Sequence, residues 1–219
     1  MADQLAFDWP TGVALGPEDF FVSVANAQAF AMLTAPETWP EGKLVITGPA
    51  GCGKSHLARI FASQQDALLL HAAEMPADMP RDAHAVVIED IDHLPRDAEE
   101  TVFHLHNDLR SRRGFLLMTA QTPPSRWPIA LPDLVSRMQA TTVAPIAGPD
   151  DALLAALIMK LFADRQITPK AGLVDYLVKR IDRSFAAAAA IVADLDRAAL
   201  ARGQKIGIKL ASDLLDNQT

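Results

Sequence analysis

The sequence predicts an α/β fold: a five-stranded parallel sheet with helices on both faces, followed by a small all-α domain. Short apolar runs alternate with segments of helical periodicity through the first two thirds of the chain, a glycine-rich loop follows the first run, and only helical patterns come after Gly148. Strands that alternate with helices form parallel sheets covered on both faces, so such strands are almost wholly apolar. The predicted strands are residues 43–47, 67–71, 85–88, 115–120 and 140–144.

Helical patterns fill the gaps between these strands. Asp97 with Glu100 three residues later resembles a capping box, which predicts a helix start, and Gly114 is expected to end that helix. The helices predicted in this part are the second half of 19–33, residues 54 to about 63, residues 97–113 and residues 131–138.

The remainder of the chain is predicted to be helical throughout. Thr168 before Pro169 and, later, Ser184 are good helix starts, and Gly203 is a good stop. The four predicted helices are residues 150–165, 169–181, 184–202 and 209–216. The sequence therefore divides into an N-terminal tail at 1–12, an α/β domain at 13–147 and a helical lid domain at 148–219.

Composition and charge restrict the function. The 219 residues are 50% hydrophobic and carry a net charge of −7. Residues 1–147 hold 18 acidic against 10 basic residues, whereas residues 148–219 hold 9 against 10. An acidic main domain repels phosphate backbones, so strong direct DNA binding is not expected. A single cysteine, no secretory signal and no membrane-spanning stretch predict a cytoplasmic protein.

The glycine-rich loop between the first strand and the next helix is the strongest functional motif. Residues 48–55, the P-loop, have the pattern G-x-x-x-x-G-K-S. Glycines let backbone N–H groups turn toward phosphate oxygens, the lysine reaches the outer phosphates, and the serine hydroxyl ligates Mg²⁺ at a helix N-terminus. The motif predicts binding of ATP or ADP with Mg²⁺ through Gly48, Gly51, Gly53, Lys54 and Ser55.

Polar residues at the ends of two later strands are candidates for the same site. Glu89 and Asp90 follow an apolar strand, where one carboxylate can hold Mg²⁺ and its neighbour can orient water, although an acidic strand end facing solvent is the alternative. Thr119 and Gln121 end the next strand and could sense the γ-phosphate or simply cap the strand. Arg137 could act in trans on a neighbour's γ-phosphate, although local sequence alone favours an ordinary surface arginine.

Taken in order, these motifs resemble the AAA+ module of the bacterial replication initiator DnaA, over about residues 14–202. The resemblance covers the P-loop exit, the acidic strand end 88–92 and the segment 131–137 before the last strand. It implies an arginine finger at Arg137, hydrolytic carboxylates at Glu89 and Asp90, and Mg²⁺ ligation by Ser55 and Glu89. The further nucleotide-binding residues that it implies are Phe21, Val22, Asn26, His56 and Thr119.

The resemblance also implies partners. The sequence ends after the lid, which is similar to the short Hda-like regulators that switch DnaA off and lack its DNA-binding domain. Gln4, Leu5 and Phe7 resemble the short motif that docks on the DNA polymerase III β sliding clamp, although an ordinary tail is the alternative. The implied partners are DnaA and the clamp, and self-association stays open.

Two departures from the family pattern leave intrinsic ATP hydrolysis an open question. The acidic pair begins with Glu89 where an aspartate is usual, and Ala186 occupies the position expected for a lid arginine. Arg183 is nearby, but its spacing differs by nearly a helical turn. A lid without this cation favours a protein that holds nucleotide more than it cleaves it.

Two rival functions stay in view. One is a helicase-loader-like AAA+ factor whose partner is not DnaA. The other is a small-molecule P-loop kinase, which would need several arginines near the phosphates, whereas the loop 121–133 offers Arg126 alone.

Overall fold

The computed structural model describes residues 20–76 and 83–216, and its central sheet confirms the predicted fold class. In this described part of the chain, five strands pair in parallel in the order β2-β3-β4-β1-β5. The tail with Gln4, Leu5 and Phe7 lies outside the described residues. The strands are β1 (Lys43–Thr47), β2 (Leu68–His71), β3 (Ala85–Glu89), β4 (Phe115–Ala120) and β5 (Thr142–Pro145).

Within residues 20–76 and 83–216, four α-helices accompany the sheet and four more follow it. None of the helices in the described part of the chain is long and apolar enough to cross a membrane. The helices are α1 (Ala27–Leu33), α2 (Lys54–Gln65), α3 (Glu99–Ser111), α4 (Pro132–Ala140), α5 (Asp151–Asp164), α6 (Leu173–Val178), α7 (Phe185–Arg202) and α8 (Ile208–Asp216).

Alternating residues of the strands build a core on each face of the sheet. Leu44 and Ile46 of β1 pack with α1 and α2 on one face, and Val45 between them packs with α3 and α4 on the other. All three side chains are fully buried, and each stabilises the fold by roughly 1.5–3 kcal/mol. The P-loop helix α2 and the helix α4 that carries Arg137 therefore lie on opposite faces.

The lid has its own core. Leu154, Ile158 and Phe162 of α5 pack against Leu177 of α6 and Leu195 of α7, and all five are fully buried. The four lid helices thus fold around a separate apolar centre after the sheet ends.

The structure corrects two predicted helix starts. Helix α6 begins at Leu173 instead of Pro169, because Gly172 adopts a left-handed conformation (φ 80°) that separates residues 169–171 from the helix. The capping box at Asp97 and Glu100 is also absent: α3 begins at Glu99, and its N-cap residue, Ala98, offers no side-chain hydrogen bond. The Ser184 cap is confirmed, since its hydroxyl accepts a hydrogen bond from the N–H of Ala187 at 3.0 Å.

Candidate nucleotide-binding site

The P-loop joins β1 to α2 at the carboxyl edge of the sheet. Gly51 and Gly53 have φ values of 76° and 95°, which side chains rarely adopt. At Gly48 an added Cβ would lie 2.7 Å from the Cys52 sulfur and 2.8 Å from the Ile146 carbonyl oxygen, so the loop closes only around glycine. Burial raises the pKa of the Cys52 thiol, which makes that side chain packing and not a nucleophile.

Lys54 crosses the loop from the first turn of α2. Its Nζ donates hydrogen bonds to the carbonyl oxygens of Gly48 at 2.8 Å and Pro49 at 3.0 Å, and the residue is 7% exposed. Ser55 follows in the same turn with an exposed side chain. The N-terminus of this twelve-residue helix adds partial positive charge at the same place. Together these groups are of the kind that can bind an anion, with a hydroxyl beside them.

A buried carboxylate lies at the end of β3. Glu89 is 1% exposed, and neither of its carboxylate oxygens has a hydrogen-bond partner among the described residues. The imidazole of His71 on β2 lies nearby, with its Nε2 3.7 Å from Oε2 of Glu89. A buried carboxylate without hydrogen bonds is costly unless a cation compensates it, and carboxylate oxygens suit Mg²⁺. The donor set of Glu89 and Ser55 therefore fits this ion.

Thr119 links the acidic turn to the neighbouring strand. Its hydroxyl oxygen accepts a hydrogen bond from the backbone N–H of Asp90 at 3.1 Å, and the residue is 1% exposed. Asp90 itself is exposed and has φ 54°, a conformation that aspartate tolerates better than most residues. Thr119 thus fixes the direction in which the chain leaves β3.

Asp92 is a site residue that the sequence interpretation treated only as part of an acidic turn. Its Oδ2 accepts hydrogen bonds from the backbone N–H groups of Gln121 at 2.9 Å and Thr122 at 3.4 Å. The bonds join the turn after β3 to the loop after β4. Gln121 therefore contributes its backbone here, and its side chain is exposed.

The segment before α1 supplies an apolar surface beside the P-loop. Phe21 and Val22, predicted to flank the base, are 50% and 44% exposed. Asn26 is buried, and its amide group is already used: Nδ2 donates to the Phe21 carbonyl oxygen at 2.9 Å, and Oδ1 accepts from the Ser23 N–H at 2.8 Å. Asn26 thus shapes this loop and holds the two apolar residues in place.

Phe20 is a further residue that the sequence did not single out. Its ring stacks on Phe30 with centroids 5.5 Å apart, meets the His56 ring edge-on at 5.5 Å, and lies 3.2 Å from where a Cβ on Gly53 would be. It forms a wall between the P-loop exit and α1. The sequence alone does not reveal this role of Phe20, because two adjacent phenylalanines are a common pattern.

Arg137 is on α4, on the other face of the sheet from α2. The residue is half-buried, and its guanidinium has no hydrogen bond or ion pair with any residue that the structure describes. Leu134 and Met138 on the same helix are fully buried against α3 and the sheet, which fixes the face that α4 presents.

The lid reaches the P-loop through the start of α7. A Cβ on Gly51 would lie 2.9 Å from that of Phe185, so the two elements are in close contact. Arg183, just before α7, pairs with Asp151 at 3.0 Å, and both side chains are more than half exposed. Ala186 is exposed and brings no charge. Arg183, the cation that could have replaced a lid arginine, is thus paired with Asp151.

Comparison with known sequences finds relatives among bacterial replication initiator proteins. No protein-family model matches the chain. The DnaA of Campylobacter jejuni is 22% identical over an alignment of 225 positions, which covers 90% of this chain and 51% of the relative. The chain thus spans about half the length of the curated relatives that it matches.

Solved structures agree on the fold. Domain III of DnaA from Thermotoga maritima superimposes with a TM-score of 0.77 at 18% identity, covering 95% of this chain and 98% of that domain. The AMPPCP-bound DnaA from Aquifex aeolicus gives a TM-score of 0.67 at 15% identity, over 82% of this chain and 64% of that one. The fold is that of an AAA+ module.

Proposed function

Starting from a chain that is related in sequence to DnaA and has the AAA+ fold of its domain III, we propose that this protein is a nucleotide-binding regulator of replication initiation. It binds ATP or ADP at the P-loop, docks on the β sliding clamp through its N-terminal tail, and promotes hydrolysis of the ATP bound to DnaA. The observation that carries this proposal is Arg137, a cation that α4 holds without a partner among the described residues.

Nucleotide binding is supported by the groups at the carboxyl edge of the sheet. Lys54 would exchange the carbonyl oxygens of Gly48 and Pro49 for phosphate oxygens, which is a gain because the new acceptors are charged. Ser55 and Glu89 would hold Mg²⁺, which neutralises charge on the phosphates when it is bound. Phe21 and Val22 would cover the base.

Retention of nucleotide without fast turnover is supported by the lid and by Glu89. Ala186 offers no cation to the phosphates, and Arg183 is engaged with Asp151. The pair formed by Glu89 and Asp90 would place the longer carboxylate at the metal, and Asp90 would be the group beside the attacking water. In our proposal the bound nucleotide serves mainly to hold the domain and its lid together.

Action on a neighbour is supported by the position of α4. Arg137 is on the face of the sheet opposite to α2, and a guanidinium that is not engaged elsewhere can stabilise charge on a γ-phosphate supplied by another molecule. Such an arginine raises the rate of phosphoryl transfer by roughly 10³–10⁵ in proteins that use one. The partner would be ATP-bound DnaA.

The experiment is a measurement of DnaA-ATP turnover with sliding clamp loaded on DNA. The wild-type protein should stimulate turnover, and Arg137→Ala should abolish the stimulation while it still binds nucleotide. Arg202→Ala is the matched control, because Arg202 is an exposed arginine at the far end of α7, and this variant should stimulate normally. No stimulation by the wild type, or equal stimulation by Arg137→Ala, would refute the proposal.

Deletion of the N-terminal tail distinguishes the helicase-loader-like alternative from the proposed function. A protein lacking residues 1–8 should lose binding to the sliding clamp and lose clamp-dependent stimulation if the tail docks through Gln4, Leu5 and Phe7. A loader has no need of this contact. If the truncated protein still binds its partner, the loader function would be favoured instead.

A further inference from the structure

A buried carboxylate holds the loop from which the arginine helix starts. Glu99, the first residue of α3, is 4% exposed. Its Oε2 accepts hydrogen bonds from the backbone N–H groups of Leu131 at 2.7 Å and Ala130 at 3.1 Å, and its Oε1 accepts from Ala130 at 3.0 Å. These contacts bridge more than thirty residues of sequence and end at the residue before Pro132, where α4 begins.

The rest of this loop is held by different groups. Asp92 binds the N–H groups of Gln121 and Thr122 at its beginning. Trp127, in its middle, is buried and donates from Nε1 to the Thr122 carbonyl oxygen at 2.8 Å. Among the described residues, Glu99 alone binds the last two backbone N–H groups before the helix by side-chain hydrogen bonds. Its loss would therefore free the N-terminal end of α4 and leave the earlier turns in place.

Apolar packing does not replace this contact. Leu134 and Met138 turn one face of α4 toward the core, but burial of apolar area is non-directional and does not fix the position of a helix along its axis. Helix α4 has nine residues, and its N-cap, Leu131, provides no side-chain hydrogen bond. The position of Arg137, about one and a half turns from the start, therefore depends on where the chain enters the helix.

We propose that Glu99 is a positioning residue for Arg137. Its carboxylate fixes the entry of α4 through charge-assisted hydrogen bonds, so that the guanidinium meets the phosphate of a partner's nucleotide in the productive place. This assignment rests on the proposed role of Arg137. A displacement of about 1 Å at a reacting group can lower a rate about a hundredfold, so a residue that touches no ligand can still control the step.

The test compares Glu99→Gln with Glu100→Gln in the full-length protein. The control removes the same charge from the next residue, whose side chain is exposed. In Glu99→Gln a single acceptor oxygen remains, and the NH₂ group would face backbone donors. Hydrogen exchange at the amides of Ala130 and Leu131 should accelerate about tenfold or more in Glu99→Gln and stay unchanged in the control, since hydrogen bonds to a charged acceptor change an equilibrium by such factors.

The functional readout is the dependence of partner-ATP turnover on the concentration of this protein. In Glu99→Gln the maximal stimulated rate should fall about tenfold, while the concentration for half-maximal stimulation and the nucleotide affinity change less than twofold. A general loss of folding would instead move all three quantities, and Glu99→Ala serves as the second variant because it removes the acceptor oxygens without placing an NH₂ group against the backbone donors.

The two possible failures are distinguishable. If the wild type does not stimulate turnover, the proposed function fails, and the exchange measurement alone decides whether Glu99 holds the entry of α4. If the wild type stimulates through Arg137 but Glu99→Gln stimulates equally well, or if exchange at Ala130 and Leu131 is unchanged, the positioning role is refuted.

Discussion

Two buried lysines lie at opposite ends of β1, and their surroundings differ. Lys54, beyond the carboxyl end, gives two hydrogen bonds of 2.8 and 3.0 Å to carbonyl oxygens. Lys43, the first residue of the strand, is 2% exposed and gives one contact of 3.5 Å, to the Gly114 carbonyl oxygen. Burial lowers the pKa of Lys43 to about 8, although Glu41 nearby raises it in part. The buried ammonium of Lys54 is therefore compensated by two polar groups, whereas that of Lys43 has a single long contact.

The same contrast appears in the neighbours of these lysines. Glu89 at the carboxyl edge is a buried anion beside a predicted cation site, whereas His106 on α3 is 2% exposed and adds no compensating charge to Lys43. Nδ1 of His106 has no hydrogen-bond partner among the described residues. Burial, followed by the charges of Lys43 and Arg137, lowers the pKa of His106 to about 4. The buried polar groups at the carboxyl edge, Lys54 and Glu89, are suited to a charged ligand. Those at the amino edge, Lys43 and His106, lack such compensation, so their burial opposes folding.

This comparison predicts that changes at the two ends separate binding from stability. The largest expected effect is on binding: Lys54→Ala should weaken ATP and ADP affinity at least about a hundredfold, because it removes hydrogen bonds to charged phosphate oxygens. Isothermal titration calorimetry and analysis of the copurifying nucleotide measure it. Lys43→Met is the matched control and should bind nucleotide as the wild type does. Equal loss in both variants would contradict the separation.

The sequence predicted the elements that local patterns determine. The P-loop strand at 43–47 and the strand at 115–120 have the predicted bounds, because each is a mainly apolar run that begins directly after a glycine. The P-loop residues could be predicted from the sequence because their spacing is dictated by phosphate geometry. Helix α6 was extended too far, since one glycine in a left-handed conformation outweighed the helical signal of Thr168 and Pro169.

Long-range contacts could not be predicted in the same way. Glu99 and Glu100 are adjacent acidic residues, and the sequence pattern assigned a role only to Glu100, as the partner of Asp97 in a capping box. In the structure Glu99 reaches a loop more than thirty residues away, whereas Glu100 is exposed. Lys43 likewise appeared as an ordinary strand end, although the pairing of α3 with the sheet buries it. Such roles depend on tertiary packing, which a single sequence does not reveal.

The second prediction concerns Lys43→Met. The pKa of Lys43 is about 8 in the folded protein against 10.5 ordinarily, a difference worth about 3 kcal/mol. Between these pH values the unfolded chain binds more protons, so wild-type stability rises with pH there, and the full penalty is present below pH 8. The variant should be more stable by up to about 3 kcal/mol at pH 7, with a difference that shrinks toward pH 10.5.

Urea unfolding at pH 7 and pH 10 measures this difference. Lys209→Met is the control, because Lys209 is exposed on α8 and its replacement should change stability by less than about 0.5 kcal/mol at either pH. A Lys43→Met protein that is less stable than the wild type at pH 7 would mean that the buried ammonium has better partners than the single contact to Gly114.

The smallest expected effect concerns His106→Leu and acid stability. The unfolded chain protonates this histidine near its ordinary pKa of 6.5, but the folded protein protonates it only near a pKa of about 4. Because the unfolded state binds more protons between these values, wild-type stability should fall as the pH falls, by about 2 kcal/mol at pH 5. His106→Leu should lack this part of the loss when unfolding at pH 5 is compared with pH 7.

The Lys43→Met variant, which keeps His106, provides a second comparison. Its loss of stability between pH 7 and pH 5 should be smaller than that of the wild type, because removal of the nearby ammonium raises the pKa of His106. An unchanged acid dependence in both variants would show that His106 and Lys43 do not share one electrostatic environment, and the contrast between the two ends of β1 would then rest on Lys43 alone.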